Sequence, residues 1–150
     1  MTVKEFLLQE GQLKTRIRSC RDEIKELEEL ACSVSSPGFG EHYNPNPNTS
    51  SPFERSLMKI YDMQKKLDRM ISALMDYKRQ VKSLLSSISD RMDRYIMEEH
   101  YLHHRSFASI ADDYDVNRST IKRRHDKVIE ELELPEDAVD IGKLWDYDIY

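Results

Sequence analysis

The chain has little of what most small stable scaffolds depend on. Its 150 residues include two cysteines, four glycines, five prolines and one tryptophan. So few glycines and prolines exclude an all-β protein with many tight turns. No apolar run approaches the roughly 20 residues of a membrane span. The first ten residues, Met1 to Glu10, place Glu5 and Glu10 where a signal peptide would carry its apolar stretch. A soluble, cytoplasmic protein with no membrane partner is therefore expected. Cys20 and Cys32 fall within one expected helix, about 18 Å apart at 1.5 Å per residue, too far for a disulfide. No Gly-rich phosphate loop, nucleophile elbow or paired-carboxylate motif occurs, so no enzymatic activity and no cofactor is expected.

What the chain does have is charge. Charged residues make up 34% and hydrophobic residues 39%, with mean hydropathy −0.72, a balance suited to long exposed helices. The formal charge of −5 is unevenly placed. Residues 130–150 hold eight acids against Lys143, a net of −7, which leaves residues 1–129 with 22 bases and 20 acids. An acidic total thus does not argue against nucleic-acid binding by the rest of the chain.

Apolar residues at alternating steps of three and four mark the first 34 residues. The seam is Val3, Phe6, Leu13, Ile17, Cys20, Ile24, Leu27, Ala31 and Val34, interrupted by Glu10. This is the heptad pattern of a coiled-coil helix. Residues 35–51, rich in Pro, Gly and Asn, read as a flexible linker. Ser51-Pro52-Phe53-Glu54 then carries a helix start, with a capping serine, proline at the first helical position and a capping-box glutamate.

The helix that follows has a seam of its own: Ile60, Met63, Leu67, Met70, Leu74, Tyr77, Val81, Leu84 and Ile88. Residues 2–34 and 52–88 would span about 50 and 55 Å, matched lengths that suggest an antiparallel hairpin. Leu57, Ile71 and Leu85 form a second stripe beside that seam. An extra stripe needs a further helix to cover it, so residues 1–88 are expected to assemble a homodimer or higher homo-oligomer.

Shorter helices follow. Asp90 to about His104 has the apolar face Met92, Tyr95, Ile96 and Leu102. Ser106 can cap a second helix, Phe107 to Tyr114, and Asn117 a third, Arg118 to about Leu132. Ile110 and Ala111 lie inward, alanine being small enough for a close crossing, with Val116 expected to plug the corner and His125 to be buried. Such spacing is that of a helix-turn-helix, whose last helix offers its first residues to the major groove. The candidate DNA-binding residues are Arg118, Ser119, Thr120, Lys122, Arg123, Arg124 and Lys127. Arginine and lysine can hold phosphate or guanine, and hydroxyls can bond either phosphate or base. A merely solvated basic helix fits less of this pattern.

The stretch Phe107-Ala-Ser-Ile-Ala-Asp-Asp-Tyr-Asp-Val-Asn-Arg-Ser-Thr-Ile-Lys-Arg-Arg-His125 resembles region 4 of sigma-70-type factors. Residues 1 to about 132 are similar to small phage and prophage proteins that join an N-terminal helical hairpin to a sigma region-4-like end, with a stretch like Leu30-Ala-Cys-Ser-Val-Ser-Ser36. Neighbouring families of the ArpU and RinA type regulate phage late transcription. The resemblance implies a DNA-reading surface at Arg118, Ser119, Thr120, Lys122 and Arg123, in a bacterial host cell. Two departures stand out. Asp115 occupies a turn position often held by glycine, and nothing resembles the sigma segments that grip the polymerase clamp or melt promoter DNA.

The expected fold is all-α: a coiled-coil hairpin at 1–88, a helix-turn-helix domain at 89–132 and an acidic tail at 133–150. The expected function is a sequence-specific, DNA-binding transcription regulator, activating late genes through double-stranded DNA and host RNA polymerase. The alternatives are a small terminase subunit, and a polymerase-binding adaptor or antiterminator with little DNA affinity. His100, His103 and His104, beside Glu99, lack an evident fourth ligand and are read as packing or surface residues rather than a metal site. The tail is read as a solubilising segment folded loosely back, with docking to polymerase or screening of the basic helix as its functional alternatives.

Overall fold

The computed structural model describes residues 1–34 and 51–146. Among them the regular structure is entirely helical: α1 (Val3–Leu7), α2 (Gln9–Val34), α3 (Pro52–Ser86), α4 (Arg91–Tyr101), α5 (Phe107–Tyr114), α6 (Arg118–Glu131) and α7 (Ile141–Asp146). None is long and apolar enough to cross a membrane. The expected linker lies outside the described residues, apart from Ser51.

Two compact units divide the chain, residues 13–72 and residues 1–12 with 73–150, the divide falling within α2 and α3. In the unit of residues 13–72, the seam positions Leu13, Ile17, Cys20, Ile24 and Ala31 of α2 are buried, as are Ile60 and Met70 of α3. The Cys20 Sγ donates to the Met63 carbonyl at 3.6 Å. Ser51 caps α3 by accepting the Glu54 N–H at 3.2 Å.

The other unit holds two apolar clusters, the larger of which joins its N-terminal residues to α3, α4 and α6. Phe6, Leu7, Tyr77, Val81, Leu85, Ile88, Met97, Tyr101 and Val128 form its buried part. The Phe6 and Tyr77 rings meet at 5.3 Å, and the Tyr77 hydroxyl donates to the Leu7 carbonyl at 2.9 Å. That bond satisfies a hydroxyl whose burial would otherwise be costly.

A single helix over residues 2–34 is expected, and the structure breaks it at Leu8, which caps α1. Phe6, Leu7 and Gln9 are all buried while Leu8 is exposed. The expected second stripe also divides. Leu85 is fully buried in the core, Ile71 is half-buried and Leu57 stands exposed.

The segment after α6 is held by specific bonds rather than loosely. Gln9 is buried; its Nε2 donates to the Val139 carbonyl at 2.9 Å and its Oε1 accepts the Ile141 N–H at 2.8 Å. Gln80 repeats the pattern one step back, donating to the Asp137 carbonyl at 2.8 Å and accepting the Val139 N–H at 2.9 Å. Leu134, Ala138 and Val139 pack on the apolar cluster, and Ile141 is buried.

Candidate nucleic-acid interface

Three successive helices, α4 to α6, pack around Ile96, Ile110, Ala111 and Ile121, with Met92, Tyr95 and Phe107 at the margin. The bounds of α5 and α6 follow their caps. Ser106 accepts the Ser109 N–H at 3.2 Å and so fixes where α5 starts. It ends where Asp115 enters the left-handed region, at φ 53° and ψ 44°. The Val116 N–H reaches the Ala111 carbonyl at 3.1 Å and the Asp115 N–H the Asp112 carbonyl at 3.3 Å. This is a Schellman closure, with aspartate in the place where glycine is usual.

Residues 115–117 connect α5 to α6. Two details differ from expectation. Val116 is 37% exposed and does not fill the corner. Asn117 occupies the N-cap position of α6, but its side chain makes no capping bond. The first turn of α6 therefore presents backbone N–H groups that no side chain of its own cap covers.

Arg105 joins α4 to α5. Its Nη1 donates to Glu99 at 2.9 Å, to Asp113 at 2.6 Å and to the Tyr95 hydroxyl at 3.3 Å, while Nη2 reaches the Ser109 carbonyl at 3.1 Å. Tyr95 completes the ring by donating to Asp113 at 2.7 Å. The guanidinium holds both carboxyls, Glu99 and Asp113, below their ordinary values. Composition and periodicity gave no sign of this joint.

The candidate bases then separate into two groups. Arg124 is half-buried and turned to the start of α4, pairing with Asp93 at 2.8 Å and Asp90 at 3.4 Å. Lys127 is exposed and lies 3.9 Å from Glu131. Arg118, Lys122 and Arg123 are exposed, and among the described residues none of the three has an ion pair or hydrogen-bond partner for its side chain. Ser119 is exposed beside them and Thr120 is half-buried. The structure thus brings Arg118, Ser119, Lys122 and Arg123 to one open end of α6 and sets Arg124 apart as a structural anchor.

His125 is buried, as its position in the sequence suggested, at 4% exposure. Its ring lies against Tyr101, Phe107 and His100, with centroids 5.6, 4.9 and 5.6 Å away. Burial pushes its pKa down, so the ring is neutral. Its Nδ1 lies 2.9 Å from the Asp126 carboxylate and its Nε2 2.7 Å from the Tyr101 hydroxyl. An ionised carboxylate can only accept, so Nδ1 carries the proton and Tyr101 donates to Nε2. Among the other histidines, His100 stacks on Phe107 at 4.2 Å and donates to the Arg105 carbonyl at 2.8 Å, and His103 pairs with Glu99 at 2.9 Å. No group that could hold a metal occurs among the described residues.

The family model described as "Protein of unknown function (DUF722)" matches residues 9–134, most of the chain, and the chain belongs to that family. No curated protein and no solved structure matches it.

Proposed function

We propose that this member of the DUF722 family is a sequence-specific DNA-binding regulator, with α5 and α6 acting as a helix-turn-helix and α6 entering the major groove. The observation that carries the reading is the sorting of the bases. Arg105 and Arg124 are engaged by carboxylates, whereas Arg118, Lys122 and Arg123, in the first two turns of α6, make no ion pair or side-chain hydrogen bond among the described residues. Bases without an ion pair on a well-supported helix start, beside uncovered backbone N–H groups, are suited to phosphate and base edges.

The seams of α2 and α3 support the coiled-coil hairpin as the assembly element. Phe53, Leu57, Met58 and Tyr61 stand exposed on α3, an apolar surface that a second copy would cover. A paired assembly would present two reading helices to a repeated site. The resemblance to phage proteins of the ArpU and RinA neighbourhood extends the proposal to activation of phage or prophage late genes with host RNA polymerase.

The test is affinity selection of source-genome fragments by the purified protein at near-physiological salt, followed by sequencing. Enrichment of one intergenic site before late genes is the expected result. Enrichment beside packaging genes would replace the regulator with a terminase subunit. No enrichment from a folded sample would replace it with a polymerase-binding adaptor, and a monomer in sedimentation equilibrium would remove the assembly.

A further inference from the structure

Ser119, Lys122, Arg123 and Asp126 are all exposed on α6 and stand at i, i+3, i+4 and i+7. Side chains at that spacing share one face of a helix, and it is the spacing with which a recognition helix meets successive base edges. Three of the four suit DNA. The fourth is a carboxylate, which repels every phosphate and so lowers non-specific affinity.

Asp126 is also not a loose surface acid. Its carboxylate is 56% exposed, yet it accepts a hydrogen bond from a histidine whose side chain is 5% exposed. That histidine is in turn oriented by the buried Tyr101 hydroxyl and by packing against Phe107. A hydrophobic residue would fill the position of His125 without needing partners. The buried polar pair has one output at the surface, a carboxylate held in a fixed direction on the basic face.

We infer that Asp126 is a specificity-determining residue that accepts a hydrogen bond from a base amino group in the major groove, that of cytosine N4, with His125 and Tyr101 as positioning residues. Aspartate and glutamate are the natural acceptors for that amine. One oxygen remains available for the base while the other is held by His125. This assignment rests on the DNA-binding reading and adds to it which base type one position selects.

The experiment is selection from randomised duplexes with the full-length protein, its Asp126→Ala and Asp126→Asn variants, and Tyr101→Phe. The wild type should enrich cytosine at one position of its site. Asp126→Ala should lose discrimination at that position alone, by roughly tenfold. Asp126→Asn should redirect it to adenine, which an amide can bond at two points. Tyr101→Phe, which leaves the ring and removes the donor, should weaken the same preference about two- to threefold and no other.

A uniform rise in affinity for all duplexes in Asp126→Ala, with the consensus unchanged, would overturn the assignment and leave the carboxylate a mere repulsive charge. Loss of stability in Tyr101→Phe with the preference intact would overturn the positioning role. A wild-type protein that enriches nothing would instead overturn the DNA-binding reading itself.

Discussion

At the scale of single residues, Arg105 and Arg124 are as informative as the bases left open. Both are arginines beside a basic helix, and composition alone would count them as DNA contacts. The fork of Arg105 instead spans Glu99 and Asp113, and Arg124 spans Asp90 and Asp93. The Arg105 joint has a signature in acid. The Arg105 guanidinium holds the Glu99 and Asp113 carboxyls below their ordinary values in the folded state. The stability they contribute is full above those values and is lost as pH falls through the lowered ones. Arg105→Gln should therefore lower Tm at pH 7 and narrow its gap to the wild type steadily below about pH 4. A gap of constant size from pH 7 down to pH 2.5 would show that these ion pairs add nothing to stability. Which arginine pairs and which stays open could not be read from spacing, because the acids concerned lie on other helices.

At the scale of elements, the sequence was most legible where helix signals are local. Ser106 caps α5, Asp115 takes the left-handed turn, and α5 and α6 start where their caps stand. The period of the seams likewise marks Leu13, Ile17, Ile24, Tyr77 and Val81 as buried. Two features were not legible, and both depend on distant partners. The break at Leu8 sits beside the packing of Phe6 and Leu7 on Tyr77, about seventy residues away, a separation no local pattern encodes. The tail's docking depends on Gln9 and Gln80, ordinary polar residues until they meet an extended backbone. Gln9→Ala would leave the Val139 carbonyl and the Ile141 N–H without partners in a buried site, at a cost of about 2–3 kcal/mol. Gln80→Ala, nearer solvent, should cost about 1 kcal/mol. Urea unfolding measures both, and equal small effects would contradict the tail's docked role. An α7 that is released in Gln9→Ala should also lose its amide protection in hydrogen exchange.

For the whole molecule, the proposal places assembly and DNA reading in different units. Residues 13–72 offer seams and exposed apolar residues, while the bases without an ion pair lie on α6 in the other unit. The acids that dominate residues 130–150 leave the formal charge negative without neutralising α6 by any ion pair to Arg118, Lys122 or Arg123 among the described residues. Net charge is therefore a poor guide to this chain, and its distribution a good one. The central claim is that these three side chains bind DNA. The most direct measurement is the salt dependence of duplex affinity for the wild type and for Arg118→Glu/Lys122→Glu/Arg123→Glu, with helicity followed by circular dichroism. The account predicts a steep wild-type dependence. In the triple variant affinity should fall by at least about a hundredfold, the slope of log K against log salt should lose up to about 3, and helicity should be unchanged. A folded triple variant with undiminished affinity and the same slope would contradict it.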